Sequence, residues 1–600
     1  MADGCCRGAG AFVMQDIEPR RLGAVLAVLA WAVGLWACAG TAAAQSKPPA
    51  PCQAYAPGVA PAGGRAYRVP RLTEPGNPGR CDVSHMAVAT HDDGLFRDVY
   101  GGNDVILPEK AVGPVIAHLW DQVRCDAAKA NCTLRILVFA HGGRVPQSQA
   151  TADAERLAPA MMADGYAPVF LIWNSDDFTT YGDRLCCVTQ GEKDLNPIHW
   201  VVFAPTRLAG DIVASAARAP ENYAQQIIRF QDSVTARGGT QYFLEPGDLD
   251  PRTGICGLVD PCPRIEYPSF GARDLLNGQD QTIPERGFKY YAFWPLRLGT
   301  TTFTPQIGAA AWDNMVRRTR LAVQDPTLGI ADQNRAAEAL ARRFPDYDAR
   351  LKAAGNDCER DTIKAGAPYE LALKDTPRSR FTTTGEGAFL VFFDRLTCEV
   401  AAMKAAGVHV EIDYFGHSMG ALIGNEILAR RPELPWRRIV YMAAATPTRD
   451  VRLMVSNLLS EDRPELRFFN LMLHPLAESH DLEVLGIVPE GSLLEWIDEM
   501  FGGPKTVDDR MFGKWTNAEK TMSMFPRPVR QRMTFRVFPA QSRMSNGNDA
   551  EMADFAAQCA VIKGGRTPPR CHPIKHGEFV DYAFWRDHYL CAQDLSLIHI

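Results

Sequence analysis

The sequence predicts an α/β fold with a mostly parallel central sheet and helices on both faces. Three observations carry that expectation. From Thr133 onward, apolar strand-like runs alternate with stretches of helical spacing. Most of those runs are apolar at consecutive positions, as strands covered on both faces should be. Two of the strand-to-helix junctions, His141-Gly142-Gly143 and Gly416-His417-Ser418-Met419-Gly420, are glycine corners, where a chain can turn sharply.

The elements follow in order. Strands are expected over 135–140, 169–173, 408–415, 438–443, 466–473 and 533–538. Helices are expected over 148–164, 389–406, 421–430 and 451–459. The run at 408–415 departs from the pattern, because Glu411 and Asp413 do not suit a strand buried on both faces. Between Asp176 and Phe389 the alternation stops. That block has plausible helices over 222–236 and 309–323 but no clear parallel strand, and it is too long for a loop. It reads as a large, partly helical insertion, a cap or lid above the site. An independent domain is the other reading.

The expected organisation is a signal peptide over 1–44, an N-terminal extension with the first strands over 45–132, and core over 133–176 and 389–590. The insertion fills 177–388, and residues 591–600 form the end. Asp594-Leu595-Ser596-Leu597-Ile598-His599-Ile600 resembles translated adapter read-through, which would put the natural terminus elsewhere. The signal expectation rests on Arg20-Arg21, an apolar run from Leu22 to Trp36, and Ala42-Ala43-Ala44 as an A-x-A cleavage site. The chain is therefore expected to be secreted or periplasmic. Leu35-Trp36-Ala37-Cys38 also resembles a lipobox; lipidation of Cys38 would make the protein an outer-membrane lipoprotein with a membrane association.

Composition narrows the partners. The chain has 600 residues, is 46% hydrophobic and 22% charged, and carries a net charge of −6. No basic stripe points to nucleic acid. Of sixteen cysteines, thirteen lie beyond the cleavage site, and an oxidising compartment would pair many of them. Cys125 with Cys132, Cys256 with Cys262, and Cys559 with Cys571 are close enough in sequence to pair, although connectivity does not follow from sequence. No C-x-x-C pair or HExxH motif points to a metal, so neither metal nor cofactor is expected.

The chemistry concentrates at the two glycine corners and near the end of the chain. Ser418 on a strand-to-helix turn is the candidate nucleophile, because such a turn lifts the hydroxyl out of the sheet. The N–H of Met419 and those of the Gly142-Gly143 loop are candidate oxyanion donors, since glycines let amides approach an anion. His576, beyond the last strand, is the candidate general base, imidazole being the side chain best suited to proton transfer near neutral pH. His572 is its rival. His417 is expected to pack in the core or rim the site. A carboxylate must hold the imidazole. Glu478 and Asp481 follow the 466–473 strand and are the candidates, with Asp450 one strand earlier as a third.

These segments, His141-Gly142-Gly143, Gly416-His417-Ser418-Met419-Gly420 and His576-Gly577-Glu578-Phe579 with Phe584-Trp585, resemble the α/β-hydrolase superfamily on its esterase and lipase side. The resemblance covers about residues 133–176 and 389–589. It implies an α/β-hydrolase fold, a Ser–His–acid triad, an acyl-enzyme, no cofactor, and a small-molecule or lipid ester as substrate. An acyltransferase or peptidase would use the same triad. A non-catalytic cell-envelope binding protein would keep the scaffold alone.

Overall fold

The computed structural model describes residues 82–102, 105–126, 131–175, 177–186, 188–189, 192–193, 204–221, 223, 264–266, 305–324, 346–365, 386–460, 463, 465–473, 478, 491–538, 573 and 575–580. The expected signal peptide, the lipobox, the helix at 222–236 beyond Tyr223, Cys256–Cys262, Cys559–Cys571, His572 and Asp481 lie outside them.

Among the described residues the core is a ten-stranded, mostly parallel sheet. Its strands are β1 (Ala87–Thr90), β2 (Phe96–Arg97), β3 (Arg124–Asp126), β4 (Asn131–Ala140), β5 (Ala167–Trp173), β6 (Arg264–Glu266), β7 (Val408–His417), β8 (Trp436–Met442), β9 (Arg467–Leu473) and β10 (Met533–Phe538). The sheet order is β2-β1-β5-β4-β7-β8-β9-β10-β6, with β3 beside the start of β4. Only β1–β2 and β3–β4 pair antiparallel. The order reverses at β4. The chain steps outward to β5, adds β6 at the far edge, and then enters β7 on the other side of β4 and continues that way. Such a switch point leaves a crevice at the carboxyl ends of the two strands that flank it. His141-Gly142-Gly143 leaves β4 there, and Ser418 leaves β7 there.

Local sequence explains the central strands. All seven residues of β5 are buried, and so are the last five of β4. Buried strands of this kind need no polar alternation, because both faces are covered. The two carboxylates that fit poorly in β7 find their partners across the sheet. Asp413 is opposite Arg438 in the β7–β8 register, with Arg438 Nε 3.7 Å from its Oδ1. Burial pushes the Asp413 carboxyl up, and Arg438 opposes the shift. Glu411 is half-buried opposite Arg135 of β4 and pairs with Arg437, Arg135 and His409.

The helices that matter for the site are α1 (Pro108–Asp121), α2 (Gln147–Ala163), α3 (Pro305–Leu321), α4 (Ala388–Ala405), α5 (Gly420–Arg430) and α6 (Thr448–Met454). The sequence placed α2, α4 and α5 to within a residue. The expected 451–459 helix is two helices, α6 and Ser456–Ser460, and the expected 309–323 helix begins earlier, at Pro305.

The block expected to lack a parallel strand contributes one. β6 pairs parallel with β10 at the sheet edge, Thr534 opposite Arg264. Three residues are too few to register as a strand in the sequence; the neighbouring strand defines them. The block is also tied to the core. Gly387 and Gly94 press on the backbone of Leu321 at the end of α3, and Cys358 is disulfide-bonded to Cys398 on α4. Cys125–Cys132 forms the expected short-range disulfide, as a cross-strand pair of β3 and β4. Two disulfides suit an oxidising compartment. No described helix is long and apolar enough to cross a membrane.

The corner after β7 makes the first prediction. A Cβ on Gly420 would lie 2.3 Å from the carbonyl oxygen of Ala140 on β4. Alanine favours a helix over glycine by about 1 kcal/mol, but overpacking against rigid backbone costs about 1–3 kcal/mol. Gly420→Ala should therefore lower the melting temperature. A value at or above wild type would mean that α5 and β4 do not approach this closely.

Candidate active site

Ser418 is at a φ of 51°, a left-handed conformation that non-glycine residues rarely hold. Three hydrogen bonds hold it there. Its N–H donates to Met442 O at 2.8 Å, and its carbonyl accepts from Ala445 N at 3.0 Å and Ala421 N at 3.1 Å. The two glycines of the pentapeptide have steric reasons. A Cβ on Gly416 would lie 2.9 Å from Gly420 C, and one on Gly420 would collide with β4. The backbone strain, of order 1–3 kcal/mol, persists because β4, β7 and β8 all constrain the turn.

The structure brings Ser418 and His576 together across 158 positions of sequence. His576 Nε2 is 3.0 Å from Ser418 Oγ. Both are buried, at 1% and 4% exposure, so the hydroxyl is covered rather than open to solvent. His576 opens a short 3-10 turn, His576–Phe579, rather than a longer described helix. Phe579 is fully buried and packs on Phe538 of β10, ring centroids 5.8 Å apart. That contact seats the turn beyond the last strand. Burial pushes His576 down to about 4, and the nearby Arg144 guanidinium pushes the same way. The ring is therefore neutral at pH 7 and able to accept a proton.

The glycine loop after β4 is against the same corner. A Cβ on Gly142 would be 3.1 Å from Ser418 Cβ, and one on Gly143 would be 2.5 Å from Met419 Sδ. Among the described residues the N–H groups of Gly142, Gly143 and Met419 donate to no acceptor. The loop is braced from behind. His141 stacks on Trp173 with centroids 3.7 Å apart. Its Nδ1–H donates to Gly142 O at 2.7 Å, and its Nε2 accepts the Trp173 N–H at 3.1 Å. Burial pushes His141 down to about 3, which keeps that donor-acceptor pattern. Ser175 Oγ donates to the same Gly142 carbonyl at 3.1 Å. A trans peptide with its carbonyl so held turns the Gly143 N–H the opposite way.

Glu478 is buried in the stretch beyond β9. Its carboxylate accepts from the Ser492 hydroxyl, and its carbonyl accepts the Ser492 N–H at 2.8 Å. Asp450 lies on α6 beside Arg449, 3.7 Å from its Nε, with burial raising its carboxyl.

Sequence reasoning missed Trp173, Ser175 and Arg144 as supports of the site, and it gave His417 no partner. Trp173 ends the predicted strand next to β4 and Ser175 follows it, so their role follows only once strand order is known. The insertion also reaches the site. Met315 on α3 lies 3.8 Å from the Cβ position of Gly143. Arg318 anchors that helix by donating to Asn174 O at 3.3 Å and Thr180 Oγ1 at 3.0 Å.

The electrostatics make the second prediction. In an NMR titration the His576 imidazole should protonate near pH 4, well below the ordinary 6.5. Arg144→Gln removes a cation that disfavours imidazolium, so its midpoint should move up. A wild-type midpoint at 6.5, or no rise in the variant, would contradict this environment. No family model, curated protein or solved structure matches this chain.

Proposed function

We propose that the chain is an exported serine hydrolase of the α/β-hydrolase type that cleaves carboxylic esters. The observation that carries the reading is the 3.0 Å contact of His576 Nε2 with Ser418 Oγ on a strained strand-to-helix corner. Its place beside a glycine loop, at the reversal of strand order, supports the fold assignment.

His576 takes the Ser418 proton as Oγ attacks the ester carbonyl. The oxyanion is held by the N–H of Met419 and of the Gly142-Gly143 loop. His576 then gives its proton to the departing alcohol, which leaves an acyl-serine. Water, deprotonated by His576, releases the acid and restores Ser418. A base pushed down by burial and by Arg144 needs a carboxylate to stabilise its imidazolium. Glu478, already buried and hydrogen-bonded beyond β9, is the first choice, and Asp481 the second. Met419 and Met315 beside Gly143 favour an apolar acyl group, since thioethers adapt to varied chain shapes. The predicted leader and the paired cysteines support export.

A fluorophosphonate probe should label the wild-type chain and leave Ser418→Ala unlabelled; equal labelling of both would remove the nucleophile. On a panel of p-nitrophenyl esters, Glu478→Gln should lower kcat by a factor on the order of 10⁴. A small loss there and a large one in Asp481→Asn would transfer the acid role to Asp481.

A further inference from the structure

The triad and the oxyanion loop leave His417 without a task, although it adjoins the candidate nucleophile and is 5% exposed. Its Nε2–H donates to the main-chain carbonyl of His576 at 2.9 Å. Its ring centroid is 5.2 Å from that of His576 and 6.4 Å from that of Phe579. Its other edge fills the space that a side chain on Gly142 would need, with Nδ1 2.8 Å from the Cβ position. One ring thus touches the glycine loop and the turn of the base, and is covalently part of the serine corner.

We propose that His417 is a positioning residue that clamps the turn bearing His576 against the corner bearing Ser418. The inference rests on the reading of Ser418 and His576 as nucleophile and base.

The bond acts on the peptide of the base itself. The turn is four residues long, and Glu578 N–H donates to Lys575 O at 3.0 Å within it. Phe579 anchors it three residues past His576, and Arg156 Nη2 reaches Val580 O at 3.3 Å, one residue further. Neither restrains the peptide that follows the His576 Cα. The bond from His417 does, because its acceptor is the carbonyl of His576 itself. A swing of that peptide would carry the imidazole away from Ser418 Oγ, and misplacement of about 1 Å can cost on the order of 10²-fold in rate. Since the donor is Nε2, neutral His417 holds its proton there, and imidazolium would keep the same bond.

The test compares second-order rates of fluorophosphonate labelling and melting temperatures for the full chain and its variants. Glutamine places an amide N–H near the reach of Nε2, asparagine places it near Nδ1, and phenylalanine keeps the ring without a donor. His417→Phe and His417→Asn should label on the order of 10²-fold more slowly than wild type, and His417→Gln should recover most of the rate. In His417→Phe the pH midpoint of labelling should rise from about 4 toward 6.5 as the freed turn admits water. Wild-type rates in His417→Phe would overturn the assignment, as would equal rates in His417→Gln and His417→Asn. That second comparison decides the matter if the phenylalanine variant does not fold. Labelling of Ser418→Ala at the wild-type rate would instead remove the nucleophile, and the role of His417 with it.

Discussion

The site depends on the grip that three strands exert on one backbone conformation. Ser418 is left-handed because β8 accepts its N–H through Met442, and the loop after β8 donates the Ala445 N–H to its carbonyl. β4 leaves room beneath it only for glycine at position 420. Without those contacts a serine would relax to an ordinary φ, and its hydroxyl would leave the position that His576 reaches. The grip extends outward. Tyr414 donates to Gly420 O at 2.7 Å, and Tyr441 donates to Asn425 Oδ1 at 2.8 Å, whose amide in turn donates to Thr446. These buried polar side chains are bonded to the corner or to one another, as burial requires.

The second constraint is desolvation. Ser418, His576, His141 and Glu478 are all buried. Burial holds the two imidazoles neutral, which gives each a distinct use. His141 spends its donor and acceptor on the backbone of the glycine loop, while His576 directs Nε2 at a hydroxyl. The inserted block reaches the glycine loop through Met315 of α3, and it is joined to the core covalently through Cys358–Cys398. In the proposed reaction the burial of the site would exclude water and strengthen each electrostatic interaction within it.

Long, strongly apolar segments were legible in advance. β10 was read at its observed bounds, and β5, β9, α2, α4 and α5 to within two residues at either end. Their own composition imposes their conformation. The short strands β1, β2, β3 and β6 were not individually legible, because two to four residues carry little periodicity of their own. Asp413 looked misplaced in its strand because Arg438, which neutralises it, becomes a neighbour only through the β7–β8 register.

The sequence alone determined the α/β class and the glycine corner around Ser418, and it singled out His576 as a candidate, because motif, spacing and periodicity are local properties. Tertiary structure alone decided that Ser418 and His576 touch, that His141, Trp173 and Ser175 brace the glycine loop, and that His417 bonds the backbone of His576. Each of those contacts joins residues from different strands or turns, and strand order at the switch between β4 and β7 brings them within reach.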